Sequence, residues 1–470
     1  MSHDALSATD RAFLGIEDHA LAMHVGATIV LERGDLLRPD GTLDIDRVMR
    51  LVSSGVEQVP RFRQHVRAVP GLGAVWVDDP GFQLDYHVRH TSIDHPGSHE
   101  QLMTLAGRVF GQALDRHRPL WEMWFVEGLE GGRVALLTKV HHAMIDGVAG
   151  MSILGALFRT EPFDDVPPPV ARAASAEPST LALAKEIIAE RAAAVASALR
   201  HAPEALTLNR DTLKHVGDTA SGLAATLREG VIPADVTRLN PDSVGQQRTF
   251  AGVRLDLDRV RRTRRALSGT VNDVALAAVA GGLRRYFLRH GDDVDKMRDV
   301  RAFIPVNLRP RQGRTAAEPG NHVSLVLARM PIHEPDPRAR FDEVHRVCDH
   351  LKHGSHEIEA AELIESIGDL GGPNIVHAIF RAAMALRAFN IVVTNVPGPP
   401  ISLYCGRARM ESIWGVVPLF AHQGVAISLI SYGSDMFVGL YADPDAVPDL
   451  EALGADVLAS FDELATAAGE

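Results

Sequence analysis

The chain has 470 residues, 46% hydrophobic and 23% charged, with 48 Lys and Arg against 60 Asp and Glu and a formal net charge of −12. That composition is globular, and the length exceeds one ordinary core, so two domains of about 200 residues each are expected. The acidic balance argues against nucleic acid as a partner, since phosphate binding needs a basic surface, but a membrane needs only a local basic or apolar patch.

The N-terminal stretch, with Asp4 and Asp10, lacks the basic and apolar regions of a signal peptide. No apolar run approaches the roughly 18 residues of a membrane span, so any membrane contact is expected to be peripheral. Cys348 and Cys405 stand far apart in no metal-type spacing. That suits a reducing cytoplasm and no disulfide framework.

In chain order, Leu6 to Leu14 reads as a capped helical turn and Met23 to Leu31 as a strand rich in β-formers. Leu43 to Val56 has helical periodicity. Pro60 to Gln64, Trp76 to Pro80 and Phe82 to Arg89 follow as short strand and turn pieces. Pro119-Leu120-Trp121-Glu122-Met123-Trp124 is an apolar segment that reads as core on its own, with Glu122 expected in an ion pair at a domain boundary.

The apolar run Val134 to Val140 predicts a buried strand, and Val148 to Phe158 a core helix. Between them lies His141-His142-Ala143-Met144-Ile145-Asp146-Gly147, on a strand-to-helix turn where a rigid scaffold can hold polar groups in fixed geometry. Three chemistries suit these residues. A structural histidine pair with an Asp cap is one, and a metal site built on two His and an Asp is another, although no further ligand cluster stands out. The third is general-base catalysis, because an imidazole titrates near neutral pH. Gly147 permits a positive φ or a close backbone approach.

Pro162 to Ser179, with its triple proline, marks a linker. Leu181 to Leu199 and Pro203 to Arg228 read as Ala-rich helices, either a solvated crossover or a membrane-touching element. A strand from Arg248 to Leu257 opens the second half, and Val274 to Leu288 forms an apolar helix with Asn272 or Asp273 as candidate N-cap. Strands are expected at Phe303 to Arg309, from Gly320 and at Asn390 to Pro399, then a hairpin from Gly424 to Tyr441 and a helix from Pro448 to Ala467.

The HHxxxDG motif at His141 to Gly147 is the signature of the chloramphenicol acetyltransferase-like, CoA-dependent acyltransferases. With it stand Pro119-Leu120-Trp121 upstream, Asn272-Asp273-Val274 at a helix start, and the strands at 303–309, 320–325 and 390–399. Together they resemble the bacterial wax ester synthase/diacylglycerol acyltransferase family over almost the whole chain. No Asp-Phe-Gly-Trp-Gly loop of the plant-type alcohol acyltransferases occurs; Asn-Val-Pro-Gly-Pro (395–399) stands in its place.

The resemblance implies an α/β fold of two chloramphenicol acetyltransferase-like domains, each a mixed sheet covered by helices, with an active-site tunnel between them. The corresponding division is residues 1–165 with HHxxxDG, a linker and crossover at 166–245, and a second domain at 246–470. It implies transfer of a fatty acyl group from acyl-CoA to a lipid hydroxyl. Diacylglycerol is the first expectation for the acceptor, and a long-chain fatty alcohol, giving a wax ester, the alternative. His142 would be the general base, His141 would support the loop, and Asp146 would hold its shape through an Arg such as Arg309. Leu120, Trp121, Gly147, Asn272 and Asp273 would bind substrate, with Asn272 or a backbone N–H as oxyanion donor. No Ser or Cys nucleophile, metal or resident cofactor is called for, acyl-CoA being a substrate. A cytoplasmic protein is expected, able to sit peripherally on the inner membrane face or a lipid-droplet surface. The reading from a different class is a non-catalytic or carrier-dependent condensation module, which would need neighbouring carrier domains.

Overall fold

A computed structural model describes residues 3–18, 20–144, 155–164, 177–205, 233–307, 323–353 and 387–470. The first helix, α1 (Ala8–Ile16), starts where the sequence supplies both halves of a capping box: Ser7 Oγ accepts from the Asp10 N–H at 3.0 Å, and Asp10 Oδ2 from the Ser7 N–H at 3.1 Å. After it come β2 (His24–Leu31) and α2 (Ile45–Gln58), the latter capped by Asp44. The two-residue β1 (Asp4–Ala5) joins β3 (Gln64–Val69) and β4 (Gly73–Asp78) in a small three-stranded sheet. The segment Phe82 to Arg89, expected as a strand and turn piece, is a single helical turn, α3 (Leu84–His87), leading into β5 (Val88–Ser92). The helix α4 (His99–Phe110) was not foreseen; it too is opened by a capping box, between Ser98 and Gln101.

Two mixed six-stranded sheets form the bulk of the molecule. In the first, β5, β6 (Trp121–Leu129), β7 (Arg133–His141) and β2 are joined by β13 (Ala408–Val416) and β12 (Tyr404–Cys405) from far along the chain. The sequence reading assigned no element to 404–416. Yet β13 runs antiparallel to β2, with Trp414 opposite Thr28, and is buried on both faces over its second half. The second sheet orders β10 (Val323–Arg329), β9 (Arg301–Asn307), β11 (Ile391–Pro397), β14 (Val425–Tyr432), β15 (Asp435–Ala442) and β8 (Thr249–Asp256). The expected hairpin is the antiparallel β14–β15 pair.

The long helix α5 (Thr180–Ala205) lays Leu183 and Ile187 on Val69, Val75 and Val77 of the small sheet and leaves Leu181 and Ile188 exposed. A short Arg-rich helix, α6 (Leu257–Ala266), precedes α7 (Val271–Arg289), which is apolar nearly all round and buried as the central helix of the second half. Neither Asn272 nor Asp273 caps α7. Thr270 does, accepting from the Asp273 N–H at 3.2 Å, while Asp273 returns the bond as third residue of a capping box. Helices α8 (Pro337–His353) and α9 (Leu450–Ala467) pack against it.

The halves interlock where β13 meets β14 and β15. A β-carbon at Gly439 would sit 2.3 Å from the Gly415 carbonyl oxygen, so the strands can approach this closely only with glycine there. The Trp414 indole N–H donates to the Val253 carbonyl at 3.2 Å, and the Ser428 hydroxyl to the Gly415 carbonyl at 2.6 Å.

Candidate active site

Register decides what surrounds the histidines. β2 pairs antiparallel with β7, setting His24 opposite His141, and the His141 N–H continues to the Leu120 carbonyl at 2.9 Å. One residue later β7 gives way to a 3₁₀ turn, His142–Met144. The His142 N–H donates to the Met23 carbonyl at 2.8 Å, so the turn is tied to the residue that enters β2.

His141 is fully buried. Its Nδ1 accepts from the Ala143 N–H at 3.0 Å, which assigns the ring proton to Nε2. Nε2 faces Glu17 Oε1 at 3.6 Å. Glu17, just past the end of α1, also accepts from the Met23 N–H at 3.1 Å and from Arg116 Nε at 2.9 Å. Burial alone would raise the Glu17 carboxyl; His141, the Met23 N–H and Arg116 together hold it below its ordinary value.

His142 keeps some exposure while its Nδ1 is buried, with no hydrogen-bond partner among the described side chains and backbone groups. The ring lies on Phe13 of α1, centroids 4.0 Å apart and planes inclined by 23°. Burial, then the neighbouring His141, pushes its pKa down to about 4, so this imidazole is neutral at physiological pH.

On the same sheet face lies a second buried network. Lys139, two residues before His141, is fully buried and donates to the Val109 and Gln112 carbonyls at 3.2 and 3.0 Å. Its Nζ is 3.2 Å from Glu122 Oε2, which also accepts from the Trp124 indole at 3.1 Å. Glu122 therefore finds its ion-pair partner within the first sheet, across the β6–β7 register. His24 Nε2 donates to the Phe110 carbonyl at 2.6 Å and so does the Tyr441 hydroxyl at 2.8 Å. The carbonyl end of α4 is thus closed by a cation and neutral donors, as its dipole favours. Burial, then Lys139, lowers the His24 pKa to about 3.

The remaining candidates are dispersed. Leu120 lines a surface cavity of about 1170 Å³ together with Leu14, Val66, Arg116 and Arg118. Trp121 is fully buried, its indole donating to the Phe62 carbonyl at 2.7 Å and stacking on His87 at 4.5 Å, which are packing contacts. Asn272 accepts from the Asn395 amide at 3.0 Å and directs its own amide at Cys348 Sγ, 3.7 Å away. Asp273, fully buried, meets His345 Nδ1 at 2.8 Å. Asp146, Gly147 and Arg309 lie outside the described residues, as does most of the helix expected after the motif. Among the described residues no three of His, Cys, Asp and Glu converge as a metal-ligand set.

Phe13, Glu17, Arg116, His24 and Lys139 escaped the sequence reading. Each is an unremarkable residue of its own element, and the partner that gives it meaning is remote in sequence.

With the geometry in hand, the likenesses to known proteins are specific. The wax ester synthase/diacylglycerol acyltransferase catalytic domain matches residues 6–275, and the corresponding C-terminal domain residues 319–465. The chain is 31% identical over 477 residues to a protein named as a probable diacylglycerol O-acyltransferase from Mycobacterium tuberculosis, covering 99% of this chain and 100% of that one. It is 28% identical over 451 residues to the O-acyltransferase WSD of Acinetobacter baylyi, covering 94% and 93%. The wax ester synthase/diacylglycerol acyltransferase of Marinobacter aquaeolei VT8 superposes with a TM-score of 0.70 at 23% identity, covering 99% and 100%. The first condensation domain of the calcium-dependent antibiotic synthetase superposes at 0.60 with 17% identity, covering 99% and 97%.

Proposed function

The chain belongs to the wax ester synthase/diacylglycerol acyltransferase family, and from that premise we propose that His142 is the base with which this O-acyltransferase moves a fatty acyl group from acyl-CoA to the hydroxyl of diacylglycerol. The observation that carries the reading is the neutral, partly exposed His142 imidazole, held on the Phe13 ring beside a buried His141.

With its proton on the buried Nδ1, the ring offers Nε2 as the basic nitrogen. Nε2 takes the acceptor hydroxyl proton as the oxygen attacks the thioester carbon. When the C–S bond breaks, the same nitrogen returns the proton to the leaving CoA sulfur. One ester and one free thiol result, and no acyl-enzyme is formed. An N–H of the turn or the Asn272 amide stabilises the oxyanion. His141 supports the turn, Asp146 holds its shape, Gly147 and Leu120 belong to the substrate walls, and Trp121 and Asp273, both fully buried, back them from behind. We assign residues 1–165 and 246–470 to the two acyltransferase halves and 166–245 to the crossover.

The acceptor is a lipid, so the protein works at a membrane or lipid-droplet surface from the cytoplasmic side. Among the described residues no single helix is long and apolar enough to cross a membrane. Cys348 and Cys405 are both buried, and two cysteines far apart in sequence fit a reducing compartment.

Purified protein given palmitoyl-CoA should release free thiol when diacylglycerol is added, with triacylglycerol detected by thin-layer chromatography. Hexadecanol run in parallel reads out wax ester formation, and a higher kcat/KM with it would make fatty alcohol the preferred acceptor. Silence with both acceptors, in detergent and in vesicles, would favour a non-catalytic or carrier-dependent module.

A pH profile gives an independent check. The depressed His142 pKa leaves the base form in place above about 4, so kcat/KM should fall on acidification with a midpoint near 4. Folding has its own acid limb. His24 and His142 bind protons near 6.5 in the unfolded chain but only near 3 and 4 when folded. Stability contributed by these groups is therefore complete above about pH 6.5 and is lost as pH falls towards 4, by up to about 1.4 kcal/mol per histidine per pH unit. Rates must accordingly be taken in short assays, with circular dichroism confirming the fold. A kinetic midpoint between 6 and 7 would contradict the environment described for His142.

A further inference from the structure

Glu17 touches neither His142 nor any group assigned to substrate, yet its contacts lead to both histidines. One carboxylate oxygen accepts from the Met23 N–H at 3.1 Å, and the carbonyl of the same Met23 accepts from the His142 N–H at 2.8 Å. That oxygen also stands 3.6 Å from His141 Nε2, the nitrogen left carrying the proton because Nδ1 accepts from Ala143. The other oxygen is held by Arg116 Nε at 2.9 Å, and the Arg116 guanidinium also donates to the Leu14 carbonyl on α1. One residue earlier on that helix, Phe13 stacks on the His142 ring.

From this arrangement we infer that Glu17 is a positioning residue for the acyl transfer: it sets its carboxylate against the Nε2–H of His141 and, through the Met23 peptide, fixes the turn that aims His142. The inference rests on the reading of His142 as base and adds a task for α1, which brings Phe13 to the ring and Glu17 to the backbone. A carboxylate is suited to this place because it accepts from Met23 and Arg116, sets its charge 3.6 Å from the His141 Nε2–H and donates to none of them. If Glu17 is lost, the carboxylate 3.6 Å from the buried Nε2–H goes, and that N–H makes no hydrogen bond among the described residues to take its place. The Met23 N–H loses its acceptor as well, which loosens the peptide whose carbonyl holds the His142 N–H.

The test compares Glu17→Leu, which fills similar volume with no acceptor, with Glu17→Gln, which keeps one carbonyl oxygen for Met23 and His141. Both are assayed with palmitoyl-CoA and diacylglycerol at a temperature where circular dichroism shows full folding. Glu17→Leu should lose about 10- to 100-fold in kcat, the scale on which small misplacements of a reacting group act, with both KM values within a factor of two or so. Glu17→Gln should recover most of that loss. In the His142→Ala background Glu17→Leu should change the residual rate little. Histidine ¹⁵N NMR of the wild-type protein should show His141 protonated on Nε2 and bare on Nδ1, a readout that does not depend on any variant folding. Wild-type kcat for Glu17→Leu, or a His141 proton found on Nδ1, would overturn the positioning role. Because His142→Ala is measured alongside, a failure confined to Glu17 is distinguishable from a failure of the base assignment, in which His142→Ala itself stays active.

Discussion

Replacing His142 by alanine should lower kcat by about 10²–10⁴-fold, the contribution of a positioned general base, while the protein stays folded. The structural cost is small. The ring makes one stacking contact with Phe13, worth about 0.5–1.5 kcal/mol, and the N–H bond to Met23 belongs to the backbone and survives the change. His141→Ala should be intermediate in rate and worse in stability. It removes the acceptor of the Ala143 N–H and empties a fully buried site beside Glu17. The two variants are compared by kcat and melting temperature under one condition. A dead His141→Ala beside an active His142→Ala would move the base to the first histidine. Activity in both would leave the pair with a structural role only.

Lys139→Ala should be the most damaging of the changes to stability, although Lys139 takes no part in the proposed reaction. Its side chain is 1% exposed and that of Glu122 10%, so removing the ammonium strands a carboxylate in the sheet with the Trp124 indole and, at 3.8 Å, Arg89. It also takes the donor from the Val109 and Gln112 carbonyls at the end of α4. Breaking one side of a buried pair costs about 3–5 kcal/mol, which should lower the melting temperature by at least about 5 °C. The loss should be one-sided. Lys139→Met combined with Glu122→Leu removes both charges and keeps the volume, and should recover much of the stability. Burial lowers the Lys139 pKa against the pull of Glu122, so desolvation works against the charged form here. A melting temperature unchanged in Lys139→Ala would mean that the network is not closed as described, and a double variant worse than the single one would mean that the cation is needed for more than neutralising Glu122.

Much of the local architecture was legible from the chain alone. The β-formers of Met23 to Leu31, the helical period of Leu43 to Val56, the apolar run Val134 to Val140 and the hairpin expected from Gly424 to Tyr441 correspond to β2, α2, β7 and the β14–β15 pair. Such elements are set by neighbours a few residues away, and their apolar faces were strongly written. The seven-residue motif likewise singled out His141 and His142, because a strand-to-turn junction bearing two imidazoles is a local feature. Where the local signal was weaker the reading missed. Thr270 outcompeted Asn272 and Asp273 as cap of α7 because its hydroxyl closes the box with Asp273, a choice between adjacent residues that composition does not make.

Sequence by itself thus determined many of the strands and helices, though not α4, β12 or β13, and which two histidines stand at the end of β7. The tertiary structure alone decided that β13 leaves the second half to extend the first sheet, that Lys139 closes the end of α4, and that Glu17 faces His141. The physical reason is range. Helical and strand periodicity is a property of consecutive residues. A buried carboxylate, ammonium or edge strand acquires its partner only when packing brings remote segments together, and the cost of leaving it unpaired then selects the arrangement.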